Sequence, residues 1–156
     1  MRMKTLGYYN GTYDELENMM VPFDDRVCFF GDGVYDAGPA RNYHLFAIDE
    51  HIDRFFNSAK LMDIEIPCSK EELKELLASL VLKMDTGNNF VYWACTRGTG
   101  IRNHVYKKGP GNLWVMIKPE TLDTCQKPIK CVTQEDKRFF YCNCKTLNLV
   151  PSVLYA

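Results

Sequence analysis

Hydrophobic and polar positions first alternate in "TLGYYNGTYDE", residues 5–15, as two short aromatic runs around Asn10-Gly11. Asn-Gly supplies the two positive-φ positions of a tight turn, so the runs are predicted to pair as a hairpin. The next stretch, "VCFFGDGVYDAGPARNYHLFAI", is apolar, with Gly31 and Gly33 interrupting it. Tyr35 falls in an apolar strand there, "RNY" at 41–43 reads as a second turn between strands, and Pro39 points to a sheet edge or a bulge. The period then changes. Ile52, Phe55, Phe56, Ala59 and Met62 recur at helical spacing, with Asp49 as the expected N-cap and Glu50 in the first turn. A second helix is predicted from Ser69 and Glu72, which form a capping box, and from the stripe Leu73, Leu76, Leu77 and Leu80, with Gly87 as its stop. Strands return at "FVYWACT" (90–96), "NLWVMIK" (112–118) and "PIKCV" (128–132). The expected fold class is α+β: a mostly antiparallel sheet with two helices over 1–118, a linker at 119–127, and the first strands of a second unit at 128–156.

Composition narrows the function classes. The 156 residues are 46% hydrophobic, enough for a sizeable core, and 19 basic against 20 acidic residues leave a net charge of −1. Neither sign dominates, which argues against nucleic acid or an acidic membrane surface as a partner. No run approaches the ~18 apolar residues of a membrane-spanning helix. The seven cysteines are irregularly spaced and "MRMKTLGYYNG" has no apolar signal core, so reduced thiols in the cytosol are expected. Cys142-x-Cys144 has no matching second ligand pair, so no metal is expected.

Four places could carry chemistry. Lys145 sits in "YCNCKTLNLVPSVLYA" among small, uncharged and apolar residues. A lysine in apolar company is driven toward its neutral, nucleophilic amine, which can condense with a carbonyl such as the aldehyde of pyridoxal phosphate. Arg54, on the flank of the first helix's apolar stripe, could grip a phosphate, or could simply pair with Glu50 one turn earlier. Arg102 and His104 alternate in the long basic loop "RGTGIRNHVYKKGPG" and in an extended chain would point the same way, as two donors for a carboxylate. Tyr35 would need a partner for its hydroxyl if buried. "GDGVYD" is no phosphate loop, since it lacks the glycine spacing and the Lys-Ser/Thr. Taken singly, each of these residues is better explained as an ordinary surface or core position.

Their order changes that. "FFGDGVYD", "FAIDEHIDRFFNSAKLMDIEIP", "TRGTGIRNH" and "CKTLNLVPSVL", collinear over the whole chain, resemble the class IV aminotransferases, pyridoxal-phosphate enzymes of fold type IV. The Arg-x-His after "TRGT" is most similar to the D-amino acid members. The resemblance implies that Lys145 holds the cofactor, that Arg54 binds its phosphate, and that Tyr35, Arg102 and His104 bind the substrate carboxylate, the last two from the neighbouring subunit of a homodimer. It implies transamination between a D-amino acid and a 2-oxo acid, with residues 128–156 opening the large cofactor-binding domain. Thr146 stands where the family usually has Ser, Asp36 where relatives often have Glu, and Pro151 in an expected helix, where it is tolerated in the first turn. Relatives are close to twice as long, so the cofactor site is expected to be incomplete and the chain alone inactive or nearly so. Two other readings remain: a non-catalytic fragment that dimerises or binds a partner, and a lyase acting on aminodeoxychorismate, against which the Arg102-x-His104 pair argues.

Overall fold

The structure, a computed structural model, describes residues 2–121, 128–133, 135 and 142–154. It is α+β. Six strands form one antiparallel sheet: β1 Leu6–Tyr9, β2 Thr12–Asp14, β3 Gly33–Arg41, β4 His44–Leu45, β5 Asn89–Thr96 and β6 Asn112–Pro119, in the order β2-β1-β6-β5-β3-β4. The helices are α1 Arg26–Phe30, α2 Ile48–Leu61, α3 Lys70–Val81 and α4 Val150–Leu154. Among the described residues no helix is long and apolar enough to cross a membrane.

Turn chemistry sets the sheet's two outer hairpins. Asn10 and Gly11 have φ of 43° and 97°, and pair Tyr9 with Thr12. Asn42 and Tyr43, at 49° and 66°, turn β3 into β4. Strand alternation then decides which face is dry. Val34, Asp36 and Ala40 of β3, Val91, Trp93 and Cys95 of β5, and Leu113, Val115 and Ile117 of β6 are buried on one face. Ile52, Phe55 and Ala59 of α2 and Leu73, Leu77, Leu80 and Val81 of α3 complete that core. Tyr35 and Tyr92 lie on the other face, stacked with ring centroids 5.3 Å apart.

Three expectations need correction. The N-cap of α2 is Ala47, with φ of 48° and no side-chain bond. The short entry from β4 starts the helix ahead of Asp49, whose carboxylate instead takes Lys74 Nζ of α3 at 2.6 Å. The capping box of α3 is present as expected, but the helix ends at Val81; Gly87 lies beyond it, where its carbonyl accepts from Tyr43 N–H at 3.0 Å. Residues 128–132 are exposed and form no strand. Of the expected linker, residues 122–127 lie outside the described residues, and Pro119 is the last residue of β6.

Phe55 anchors α2 to the sheet: it is fully buried and meets Phe56 and Trp93 edge-on at 6.0 and 6.4 Å. Phe55→Ala should lower the unfolding free energy by about 3–5 kcal/mol, read as a lower urea midpoint with an unchanged slope.

Candidate active site

The site is built around a carboxylate on the dry face of the sheet. Asp36 follows the same register as Val34 and Ala40, so its side chain points under α2 and is 0% exposed. A buried carboxylate must be paired or protonated. Arg54 pairs it with a two-pronged contact, Nε to Oδ2 and Nη2 to Oδ1, both 2.7 Å. His51 Nδ1 lies 2.8 Å from Oδ1, and the Ala37 N–H donates to it at 2.7 Å. Burial pushes the Asp36 carboxyl up; the bonds from Arg54, His51 and Ala37 outweigh it and hold the carboxyl below its ordinary value. Arg54 therefore does not pair with Glu50. Its side chain remains 52% exposed and lines a cavity.

Lys145 reaches the same cavity from the open edge of β3. Residues 144–149 run beside that edge: Tyr35 N–H donates to Lys145 O at 3.0 Å, Leu147 N–H to Gly33 O at 3.0 Å, and Val34 bridges Thr146. The Lys145 N–H donates to Ser58 Oγ at 3.1 Å, and Ser58 is buried on α2 one turn after Arg54. The glycines of "GDG" permit this approach. Gly31 caps α1 with φ of 60°, and its carbonyl accepts from Asn148 Nδ2 at 3.1 Å. A Cβ on Gly33 would meet Leu147 Cδ1 at 2.5 Å. Pro151 falls in the first turn of α4, where it costs no helical bond.

The cavity holds about 280 Å³, near the lower end of small-molecule sites, and is lined by Tyr35, Arg54, Lys145, Thr146, Asn148 and Ser152 among others. Lys145 Nζ sits 4.1 Å from the centroid of the Tyr35 ring. Behind that ring, burial and then the neighbouring Tyr35 push the Tyr92 phenol up, so it stays neutral. A primary amine and a half-free guanidinium in one cavity, alongside hydroxyl and amide donors, suit an anion that carries an electrophilic carbon.

Arg102 and His104 are elsewhere. Both pack on Phe30: the Arg102 Cζ lies 5.2 Å and the His104 ring 5.4 Å from the centroid of its ring. Packed there, at bends in the loop, they do not line the lysine cavity. The structure thus brings together Tyr35, Arg54 and Lys145 and leaves Arg102 and His104 as an exposed pair.

Comparison with known proteins gives the family. The sequence pattern described as Amino-transferase class IV matches residues 33–156. The chain belongs to the class IV aminotransferase family. A D-alanine aminotransferase of Staphylococcus epidermidis is 32% identical over 151 residues, 94% of this chain and 54% of that protein. Another, of Listeria monocytogenes, is 38% identical over 146 residues, 90% of this chain and 50% of that protein. The chain thus spans about half the length of the curated relatives it matches. The fold is shared with a branched-chain amino acid aminotransferase from T.th., complexed with N-(5'-phosphopyridoxyl)-L-glutamate. That likeness has a TM-score of 0.67 at 22% identity and covers 74% of this chain and 40% of that one. The Escherichia coli branched-chain enzyme gives 0.68 at 17% identity, over 75% and 41%.

Around this cavity, sequence reasoning missed His51, Ser58 and the structural part of Asp36. The first two recur with Arg54 at spacings of three and four, one helical face, and Asp36 shares strand register with Val34; those were the available signals.

The Asp36 pairing has a pH signature. It stabilises the folded protein fully above the ordinary carboxyl value of 3.8 and is lost as pH falls through the lower folded value. Asp36→Asn should cost about 1.5–3 kcal/mol at neutral pH and lose less than the parent on acidification to about pH 3. Arg54→Ala, which leaves the carboxylate buried, should cost more, about 3–5 kcal/mol. Urea unfolding at the two pH values checks both.

Proposed function

We propose that this chain contributes the lysine and part of the cofactor site of a pyridoxal-phosphate-dependent aminotransferase that exchanges a D-amino acid with a 2-oxo acid. The observation that carries the reading is the Lys145 amine on the Tyr35 ring, in a cavity also lined by the Arg54 guanidinium. The donor set fits the cofactor: an amine for the aldehyde, a guanidinium for the phosphate, and Thr146, Asn148 and Ser152 as further donors.

When bound, pyridoxal phosphate supplies an aldehyde that condenses with amines and a pyridine ring that takes up the electron pair left at the substrate Cα. Lys145 would hold the cofactor through Nζ and, once displaced by the substrate amine, accept the Cα proton at that nitrogen. Arg54, oriented by Asp36, would bind the phosphate through its remaining donor. Tyr35 walls the cavity beside the amine and would offer its hydroxyl to the substrate carboxylate. Arg102 and His104 would complete that contact. Because they lie outside the cavity of their own chain, the reading has them reach the cavity of a second copy, in a homodimer.

The D-amino acid preference is supported by the D-alanine aminotransferase relatives and by the Arg102-x-His104 pair. The bacterial relatives and the free thiols of Cys28, Cys68, Cys95 and Cys144 favour a cytoplasmic setting. Because the chain spans about half the length of these relatives, with a cofactor site expected to be incomplete, the 156 residues alone should turn over weakly or not at all.

The test is spectroscopic. The protein with added pyridoxal phosphate should develop a bound-cofactor absorbance that D-alanine perturbs more than L-alanine, and Lys145→Ala should abolish it. A spectrum identical in the parent and in Lys145→Ala would contradict the reading.

A further inference from the structure

The loop bearing Arg102 and His104 is held by contacts outside the lysine cavity. At its root the buried Asp25 carboxylate accepts from Thr96 Oγ1 and Asn112 Nδ2, both at 2.8 Å, so the end of β5 and the start of β6 stay together. Arg97 follows, its side chain only 8% exposed. It donates through Nε to Asp32 Oδ2 at 2.9 Å, and through Nη1 and Nη2 to the carbonyls of Asp63 and Met62, beyond the end of α2, at 2.7 and 2.8 Å. Its exposed face carries the Tyr106 ring, whose centroid is 3.8 Å from Cζ. The Tyr106 hydroxyl donates to Asp63 Oδ2 at 2.8 Å, and Lys108 Nζ takes Oδ1 at 3.1 Å. Nearer the tip, Arg26 Nη1 donates to the Asn103 carbonyl at 2.6 Å, between the two residues that rest on Phe30.

These contacts differ in weight. The Lys108–Asp63 pair is exposed on both sides and contributes little. The Tyr106 ring lies on a guanidinium that is shielded from water and fixed by its bonds to Asp32, Met62 and Asp63, so its stack is the stronger hold. Arg97 binds the chain that follows α2, so the loop is indexed to the helix that carries Arg54 and Ser58.

We propose that Tyr106, stacked on Arg97 and bonded to Asp63, is a positioning residue that sets how Arg102 and His104 present themselves to a substrate carboxylate. This rests on the carboxylate role proposed above for those two residues. Freed from its stack, the arm 104–109 would swing, and the donor pair would bear the cost of ordering each time a carboxylate arrives.

Two measurements on the same variants test it: tryptic cleavage after Arg102, Lys107 and Lys108, and absorbance titration of the cofactor-loaded protein with D-alanine and with D-alaninol, which lacks the carboxylate. Tyr106→Ala should be cleaved several-fold faster, bind D-alanine about tenfold more weakly, and bind D-alaninol as the parent does. Tyr106→Phe keeps the stack and should stay near the parent in both. Unchanged cleavage of Tyr106→Ala, or equal losses for D-alanine and D-alaninol, would overturn the proposal. Arg102→Ala with undiminished D-alanine affinity would overturn the carboxylate role itself, and with it the consequence for substrate, while the cleavage arm still decides whether Tyr106 holds the loop.

Discussion

A carboxylate with no access to water has to be matched where it lies, and Asp36 imposes that demand on this fold. Its register in β3 sends the side chain under α2. Only a helix face that returns a guanidinium and an imidazole at that height can cover it, and α2 offers Arg54 and His51 three residues apart. The same face places Ser58 where the Lys145 backbone arrives. One buried charge thereby fixes the rotation of α2, the direction of Arg54, and the shelf on which the lysine segment rests.

The pairing also shapes what Arg54 can do. Two of its nitrogens are committed to Asp36, and its side chain, half exposed, lines the cavity. A guanidinium held by a buried partner keeps its orientation before any ligand arrives, so less rotamer entropy is lost when an anion binds. Lys145 is held differently. Its backbone is bonded on both sides, to Ser58 and Tyr35, while its ammonium end rests on an aromatic face. The amine is thus located by the main chain and left able to move at its tip, which suits the role proposed for it.

Much of this was legible in the sequence. Asn10-Gly11 marked its hairpin, the leucine stripe and the Ser69–Glu72 box marked α3, and Tyr35, Arg54 and Lys145 do share a cavity. The errors came where tertiary contact overrides local signal. Asp49 is a good capping residue, but Lys74 lies within its reach and the turn from β4 starts the helix earlier. Glu50 is correctly spaced for Arg54, yet an exposed pair on a helix is worth only about 0.5 kcal/mol and yields to a buried carboxylate. Residues 128–132 have the β-branched content of a strand, but strand propensity expresses itself only against a partner, and the described residues supply none. The gap between Arg102–His104 and the lysine was beyond local pattern altogether: alternation speaks only of an extended chain, and this loop bends at both residues.

The central claim is that the amine of Lys145, rather than that of another of the chain's lysines, is the group that takes the cofactor aldehyde. Borohydride reduction of the protein mixed with pyridoxal phosphate, followed by peptide mapping, tests it most directly. The account predicts a phosphopyridoxyl group on the peptide containing Lys145, at one group per chain. Label spread over surface lysines such as Lys70, Lys74 and Lys108, with Lys145 not favoured, would contradict it.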